Sequence, residues 1–280
     1  MYIVLGASGH VGSAVVKALK APGELIVANV HSDKGAEFFH QTNVEAIKVD
    51  VADAPALQTA FEKGSRAFLL NPPSPPTADT NAQELRTARA IAEAVKGSNL
   101  EKVVVASTYG AQAGDGIGDL SVLYEFERLI EDTGIPTAVN RAAYYFSNLD
   151  MLMEPARQGT LPTMFPAFMK LPMVAPADLG KAAAERLISP VDDVGVQHVE
   201  GPQTYSFSDV AAAFAAKLGH PVAVQSTPRD QWEEAFKNLG FSPEAARANA
   251  KMTAATVDDL DHPNAPRRGR VGLAEYVQAL

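Results

Sequence analysis

Six short apolar runs, at 2–5, 25–30, 46–49, 67–70, 103–106 and 137–140, recur through the first half of this 280-residue chain. Helical stretches near 11–20, 34–41, 54–62, 79–97 and 119–132 separate them. Strands alternating with helices leave few solutions, because each crossover helix returns the chain to start a strand parallel to the last. The runs are nearly continuous in apolar residues instead of alternating with polar ones, as strands covered on both faces are. The expected fold class is α/β, a doubly wound parallel sheet over residues 1–141.

After Arg141 the texture changes. Residues 142–184 carry aromatics, methionines and prolines with little strand alternation. A helix around 178–188, a strand near 196–199 and a helix over 208–218 follow, and the remainder, with Trp232 and the run SPEAARANAKM, reads as helical. Residues 142–280 are expected to form a smaller, mainly helical part that closes over the edge of the first domain and binds substrate, with some segments returning to that domain.

Composition removes several classes of function. The formal charge is −9, and the one dense basic patch, Arg267-Arg268-Gly269-Arg270, reads as a solvated loop, so no nucleic acid is expected as a partner. There is no cysteine, which excludes disulfides, thiolate metal sites and cysteine nucleophiles. No apolar run approaches the about 20 residues of a membrane span, and the first strand begins at residue 2. A cytoplasmic protein without a signal peptide, acting on small molecules as a monomer or homodimer, is the expectation. His10, His31, His40, His198, His220 and His262 lack metal-ligand spacing, and no metal is expected.

The sequence LGASGHVGSA at 5–14 joins the first strand to the first helix. Glycines at Gly6, Gly9 and Gly12 allow a tight turn, close approach of a pyrophosphate and close helix–strand packing. The spacing is G-x-x-G-x-x-G, but the strand–elbow–helix context is that of a Rossmann dinucleotide site. Gly6, Ser8, Gly9, His10, Val11 and Gly12 are therefore expected to hold the pyrophosphate.

The end of the second strand decides between cofactors. An NAD-selective site places an acid there, about 20 residues on, for the ribose hydroxyls. Here residues 26–32 contain none, while His31, Ser32 and Lys34 all donate hydrogen bonds. That favours a 2′-phosphate and NADP(H), with NAD(H) as the alternative and Asp33 as the counter-argument. Asp50-Val51, after the third strand, has the form of an adenine contact. The four-proline loop NPPSPPTADT at 71–80 follows a strand at the edge where such sheets bind ligands, and it reads equally as a stiff surface linker.

Gly6 to Gly12, Asp50-Val51, Ala106-Ser107-Thr108, and Gly134-Ile135-Pro136 before a strand ending Asn140-Arg141 together resemble the NmrA-like group of atypical short-chain dehydrogenases. The turn His31-Ser32-Asp33-Lys34-Gly35 is similar to that of the fungal nitrogen regulator that names the group. The resemblance implies that Asn71, Pro72, Pro73, Ser107 and Thr108 flank the nicotinamide half. It also implies relatedness to type 2 NAD(P)H:quinone oxidoreductase and triphenylmethane reductase, and to members that bind the dinucleotide as a redox signal.

Most short-chain dehydrogenases protonate an alkoxide through Tyr-x-x-x-Lys. The fourth residue after each tyrosine here is Gly6, Ala113, Arg128, Asn148, Leu149, Asp209 or Leu280, never lysine. If Glu127 takes the place of the usual glutamate of that helix, the tyrosine and lysine positions fall near Asp119 and Leu123. Tyr109 and Tyr124 are left as weak catalytic candidates. A quinone or conjugated dye needs no strong acid, since its reduced anion is delocalised and water protonates it. Tyr109, Tyr144, Tyr145, Phe146, Met164 and Phe165 are candidates to wall an acceptor pocket, with core packing as the competing role for each. Two functions follow: an NAD(P)H-dependent oxidoreductase acting on a quinone-like or conjugated acceptor, or a non-catalytic redox sensor acting through a protein partner.

Overall fold

The computed structural model describes residues 1–40, 42–259 and 263–280. The first half alternates as the sequence predicts: β1 (Tyr2–Val4), α1 (His10–Lys20), β2 (Ile26–Val30), α2 (Asp33–Glu37), β3 (Glu45–Lys48), α3 (Ala54–Phe61), β4 (Arg66–Leu69), α4 (Thr80–Lys96), β5 (Lys102–Thr108), α5 (Asp119–Glu131) and β6 (Thr137–Ala142). Side chains on these strands alternate between two apolar layers. Ile3, Leu5, Val103 and Val105 join the layer under α3, α4 and α5. Val4 and Val104 join the opposite layer under α1. Both faces are dry, which is why the strands read as continuous apolar runs.

The second half begins with β7 (Tyr144–Tyr145), α6 (Met153–Arg157), β8 (Thr160–Thr163), β9 (Leu171–Val174), α7 (Pro176–Ile188) and β10 (Gly195–Glu200). It continues through β11 (Thr204–Tyr205), α8 (Phe207–Leu218), β12 (Ala223–Ser226), α9 (Trp232–Asn238), α10 (Pro243–Asp258), β13 (Arg267–Arg268) and α11 (Leu273–Ala279). Among the described residues, no helix is long and apolar enough to cross a membrane.

The main sheet has eight strands in the order β13-β10-β6-β5-β4-β1-β2-β3, and every pairing is parallel. The order reverses between β1 and β4, and the crevice outside their carboxyl ends is where such a sheet binds ligands. Three elements from beyond residue 141 belong to this layer. β10 and β13 extend the sheet past β6, and α7 lies against α1. A Cβ at Gly180 would come within 2.4 Å of the Ala14 carbonyl carbon, so the two helix backbones touch there.

The rest of the second half has its own apolar cluster, with Phe146, Leu161, Met173, Phe207, Phe214 and Val277. Two small sheets, β11-β9-β7 and β12-β8, frame it. The Arg267-Arg268 patch is an edge strand and not a solvated loop. Arg267 pairs with Glu185, and Arg268 Nη2 lies 2.7 Å from Glu200 Oε1.

Candidate functional site

Gly6 takes φ +62°, the left-handed region that glycine enters without strain. The turn it makes brings the Gly9 N–H to the Gly6 carbonyl at 2.9 Å. A Cβ at Gly12 would sit 2.1 Å from the Gly6 oxygen, so α1 can start against the elbow only with glycine there. Asp53, Asp79, Ser206 and Ser242 cap α3, α4, α8 and α10 with side-chain oxygens. At α1 the N-cap is Gly9, with no side-chain cap. The first-turn N–H groups of α1 remain available, and the positive end of the helix dipole favours an anion there. Ser8, Gly9 and His10 are exposed, whereas Val11 is buried in the layer beneath.

At the end of β2, Ser32 caps α2, its Oγ accepting from Gly35 N at 3.2 Å. That leaves its hydroxyl hydrogen free to donate. His31 and Lys34 are exposed beside it. Asp33 points elsewhere: Lys48 Nζ at the end of β3 holds its Oδ1 at 2.9 Å. Asp50 Oδ1 accepts from Ala52 N at 2.9 Å, closing the turn after β3, and Val51 packs on the core beside it.

The proline-rich loop is tied down at both ends. Ser74 N donates to Glu84 Oε1 at 2.8 Å, and Asn71 Nδ2 to the Glu84 carbonyl at 3.1 Å. Ser242, at the start of α10, donates through N to Pro76 O and through Oγ to Ala78 O, both at 2.8 Å. Asn71 Oδ1 is buried without a partner, an acceptor left for a ligand group at the β4 end of the crevice. The uncapped helix start, the glycine cradle and this orphaned acceptor together fit a dinucleotide. Gly6 to Gly12 would hold the pyrophosphate, His31, Ser32 and Lys34 the adenosine phosphate, Asp50-Val51 the adenine, and Asn71-Pro72-Pro73 the nicotinamide half.

Two carboxyl groups face each other next to Asn71. Glu84 is hydrogen-bonded to Asp119, the first residue of α5. Burial, with the charge and hydrogen bond of Asp119 adding to it, pushes Glu84 up to about 7 against the lowering effect of the Ser74 N–H. Burial also raises Asp119, against the lowering effect of its hydrogen bond with Glu84. Asp119 itself is exposed, whereas Glu84 is buried. On the facing strand, burial and the Asp119 charge push the Tyr145 phenol up to about 12, and burial does the same for Tyr144. Both phenols are neutral at pH 7. Tyr144 meets Phe165 edge-on at 5.9 Å, and Phe165 stacks on Phe207 at 5.6 Å and 9°. Met164, half-buried, precedes Phe165 in the chain.

Four expected site residues serve other ends. Ser107 is buried, and its hydroxyl donates to Glu127 Oε1; Arg141 grips the same carboxylate at 2.9 and 2.7 Å. It is a strut joining β5, α5 and β6, pointing into the helix layer and away from the crevice. Thr108, next along, keeps accessible surface. The Tyr109 hydroxyl donates to Glu200 Oε2 at 3.0 Å, and its ring meets His198 edge-on. Tyr109 therefore fastens β5 to β10. Phe146 is fully buried against Tyr205 and Tyr276 and has no surface to give an acceptor. Tyr124 lines a separate cavity of about 590 Å³ between α4, α5 and α10, with Arg89, Arg247 and Lys251. None of the elbow or aromatic-wall residues lines that cavity. His262 lies outside the described residues.

Glu84 gave no signal in the sequence: an acid in the middle of a helix reads as a solvated face. Asp119 is visible only as the residue eight before Glu127.

A curated relative, an NAD(P)H azoreductase of Xenophilus azovorans, is 23% identical over 92% of this chain and 88% of its own length. The NADPH-dependent quinone oxidoreductase of Escherichia coli, solved with NADPH, superposes with a TM-score of 0.75 at 20% identity, covering 100% of this chain and 99% of that one. The triphenylmethane reductase of Citrobacter sp., solved with NADP(H), gives 0.76 at 20% identity with the same coverage. The family profile described as NmrA-like matches residues 2–264, and the chain belongs to that family.

Proposed function

We propose that this chain is an NAD(P)H-dependent oxidoreductase that prefers NADP(H) and passes hydride to a quinone-like or conjugated acceptor. Bound nicotinamide supplies the hydride. The chain's own residues hold that ring and the acceptor at reacting distance, which is a large part of the barrier by itself. The observation that carries the acceptor class is the half-buried pair Tyr144 and Phe165, whose rings meet edge-on at 5.9 Å over the core residue Phe207 and keep surface on which a flat ring can pack. No tyrosine of the chain stands four residues before a lysine, as protonation of a strongly basic alkoxide would call for. The names of the relatives, an azoreductase, a quinone oxidoreductase and a dye reductase, support the same class. The NADP(H) preference rests on Lys34 and on the removal of Asp33 by Lys48.

The test is NADPH oxidation at neutral pH with quinones, conjugated dyes, azo compounds and simple ketones. Turnover of the first three in preference to ketones is expected. Preference for ketones would restore an ordinary carbonyl reductase. Tight NADPH binding with no turnover of any acceptor would favour a redox sensor acting through a protein partner.

A further inference from the structure

We infer that Ser242, at the start of α10, is a positioning residue for hydride transfer: its hydroxyl clamps the proline-rich loop after β4 and so fixes the nicotinamide half. This rests on the reductase reading.

The loop has little with which to hold itself. Pro72, Pro73, Pro75 and Pro76 have no N–H to donate. Pro73, Pro75, Pro76 and Thr77 are exposed, so packing does not fix them either. The near end is bonded to α4, where Asn71 and Ser74 both donate to Glu84. At the far end the loop carbonyls are taken by α10: Ser242 N donates to Pro76 O and Ser242 Oγ to Ala78 O, both at 2.8 Å. Proline fixes φ at four of the five positions from 72 to 76, which makes this stretch a semi-rigid spacer. A shift at Pro76 is therefore passed along to Asn71-Pro72-Pro73, the end assigned to nicotinamide, where the Asn71 Oδ1 acceptor is left without a partner.

The same helix braces the neighbouring loop. Lys251 Nζ donates to Asp115 O at 3.2 Å, and a Cβ at Gly118 would lie 3.5 Å from the Ala248 carbonyl oxygen. Thus α10, an element of the second half, ties down both loops that leave the carboxyl ends of β4 and β5, the edge at which such a sheet binds its ligand. Hydride transfer needs its reacting atoms about 3–3.5 Å apart, and a misplacement of about 1 Å can cost on the order of 10²-fold.

The Ser242 hydroxyl has two roles that chemistry can separate. Its oxygen accepts from Ala245 N at 3.1 Å and caps α10, while its hydrogen goes to Ala78 O. Aspartate caps a helix as well as serine does, but an ionised carboxylate has no hydrogen for Ala78 O. Threonine keeps both functions.

The experiment compares Ser242→Asp and Ser242→Thr with wild type. Ser242→Asp should unfold at a midpoint near that of wild type, yet turn over a quinone or azo acceptor roughly ten- to a hundredfold more slowly. Its affinity for 2′,5′-ADP, which carries the adenosine phosphate but no nicotinamide, should be unchanged. Ser242→Thr should match wild type throughout. The fluorescence lifetime of bound NADPH reads the nicotinamide without any acceptor, and it should be shorter in Ser242→Asp than in the other two proteins. A purely structural cap makes Ser242→Asp equal to wild type in turnover and lifetime, and that result would overturn the proposal. So would a loss of 2′,5′-ADP affinity as large as the loss of turnover. Wild type inert toward every acceptor would sink the reductase reading, while the lifetimes would still judge the clamp.

Discussion

The Lys48 ammonium holds the Asp33 carboxylate at 2.9 Å, bridging the end of β3 to the start of α2. In the proposed cofactor site an acid at Asp33 would repel a 2′-phosphate, and the Lys48 ammonium offsets part of that charge. Both side chains are more than half exposed, so the pair contributes under about 1 kcal/mol to stability. Its consequence lies in the local field that a phosphate meets.

Cofactor choice should therefore respond to two lysines differently. A charge-assisted hydrogen bond contributes about 1.5–3 kcal/mol, so Lys34→Ala should weaken NADPH roughly ten- to a hundredfold and leave NADH nearly unchanged. Lys48→Ala, which frees Asp33, should weaken NADPH by a few-fold and also spare NADH. Fluorescence titration with both cofactors reads this directly. Equal losses for NADPH and NADH in the Lys34 variant would remove the phosphate from this turn.

The glycine elbow separates folding from binding. The Cβ of Gly12→Ala would meet Gly6 oxygen at 2.1 Å, backbone against backbone, and this variant should lose stability by several kcal/mol. At Gly9 the nearest atom to a Cβ is 3.4 Å away, an ordinary contact. Gly9→Asp should fold normally yet lose NADPH binding, because its charge enters the anion site. Thermal unfolding and NADPH titration on the two variants should give opposite patterns. A Gly9→Asp protein that binds NADPH like wild type would refute the site.

The first half was legible because each strand carries its own apolar signal and each helix its own period. β7 and β11 are two residues long, and β8 and β9 each contain a proline, Pro162 and Pro172. Such strands are held by their neighbours and leave no pattern to read. The return of β10 and β13 to the main sheet is likewise a fact of tertiary pairing. At the site, residue type located the elbow, since only glycine meets its geometry. Type could not say which aromatic keeps accessible surface: Tyr145 is half-buried and feels the Asp119 charge, whereas adjacent Phe146 is core. The Glu84–Asp119 pair brings together two helices 35 positions apart in the chain (119 − 84), and no local spacing announces it.

Glu84 makes stability depend on pH. Its folded pKa is raised from 4.5 to about 7. The stability it contributes is thus fully present below pH 4.5 and is lost as pH rises through about 7, where the folded protein must carry a buried charge. The shift corresponds to at most about 3 kcal/mol, and to about 1–2 kcal/mol once screening in the open crevice is allowed for. Glu84→Gln cannot ionise and should lose less stability than wild type between pH 5 and pH 8. Denaturant unfolding across that interval is the measurement. Parallel curves for the two proteins would mean that Glu84 ionises as an ordinary surface carboxylate.

The two tyrosines nearest the usual catalytic segment should prove dispensable for chemistry, for different reasons. Tyr109→Phe keeps its ring against His198 and loses only the hydroxyl that donates to Glu200 at 3.0 Å. Arg268 still reaches Glu200, so the carboxylate is not left bare, and a loss of about 1–2 kcal/mol of stability is expected. Tyr124→Phe alters a side chain at the wall of the α4–α5–α10 cavity and should be near neutral in stability. Both variants should retain most turnover with quinones and dyes, whereas loss of a general acid would lower it roughly 10²–10⁴-fold. Unfolding curves paired with NADPH oxidation rates separate the cases: a stable Tyr124→Phe protein with turnover lost by that factor would make Tyr124 the acid, and the acceptor site would have to move to the α4–α5–α10 cavity that it lines.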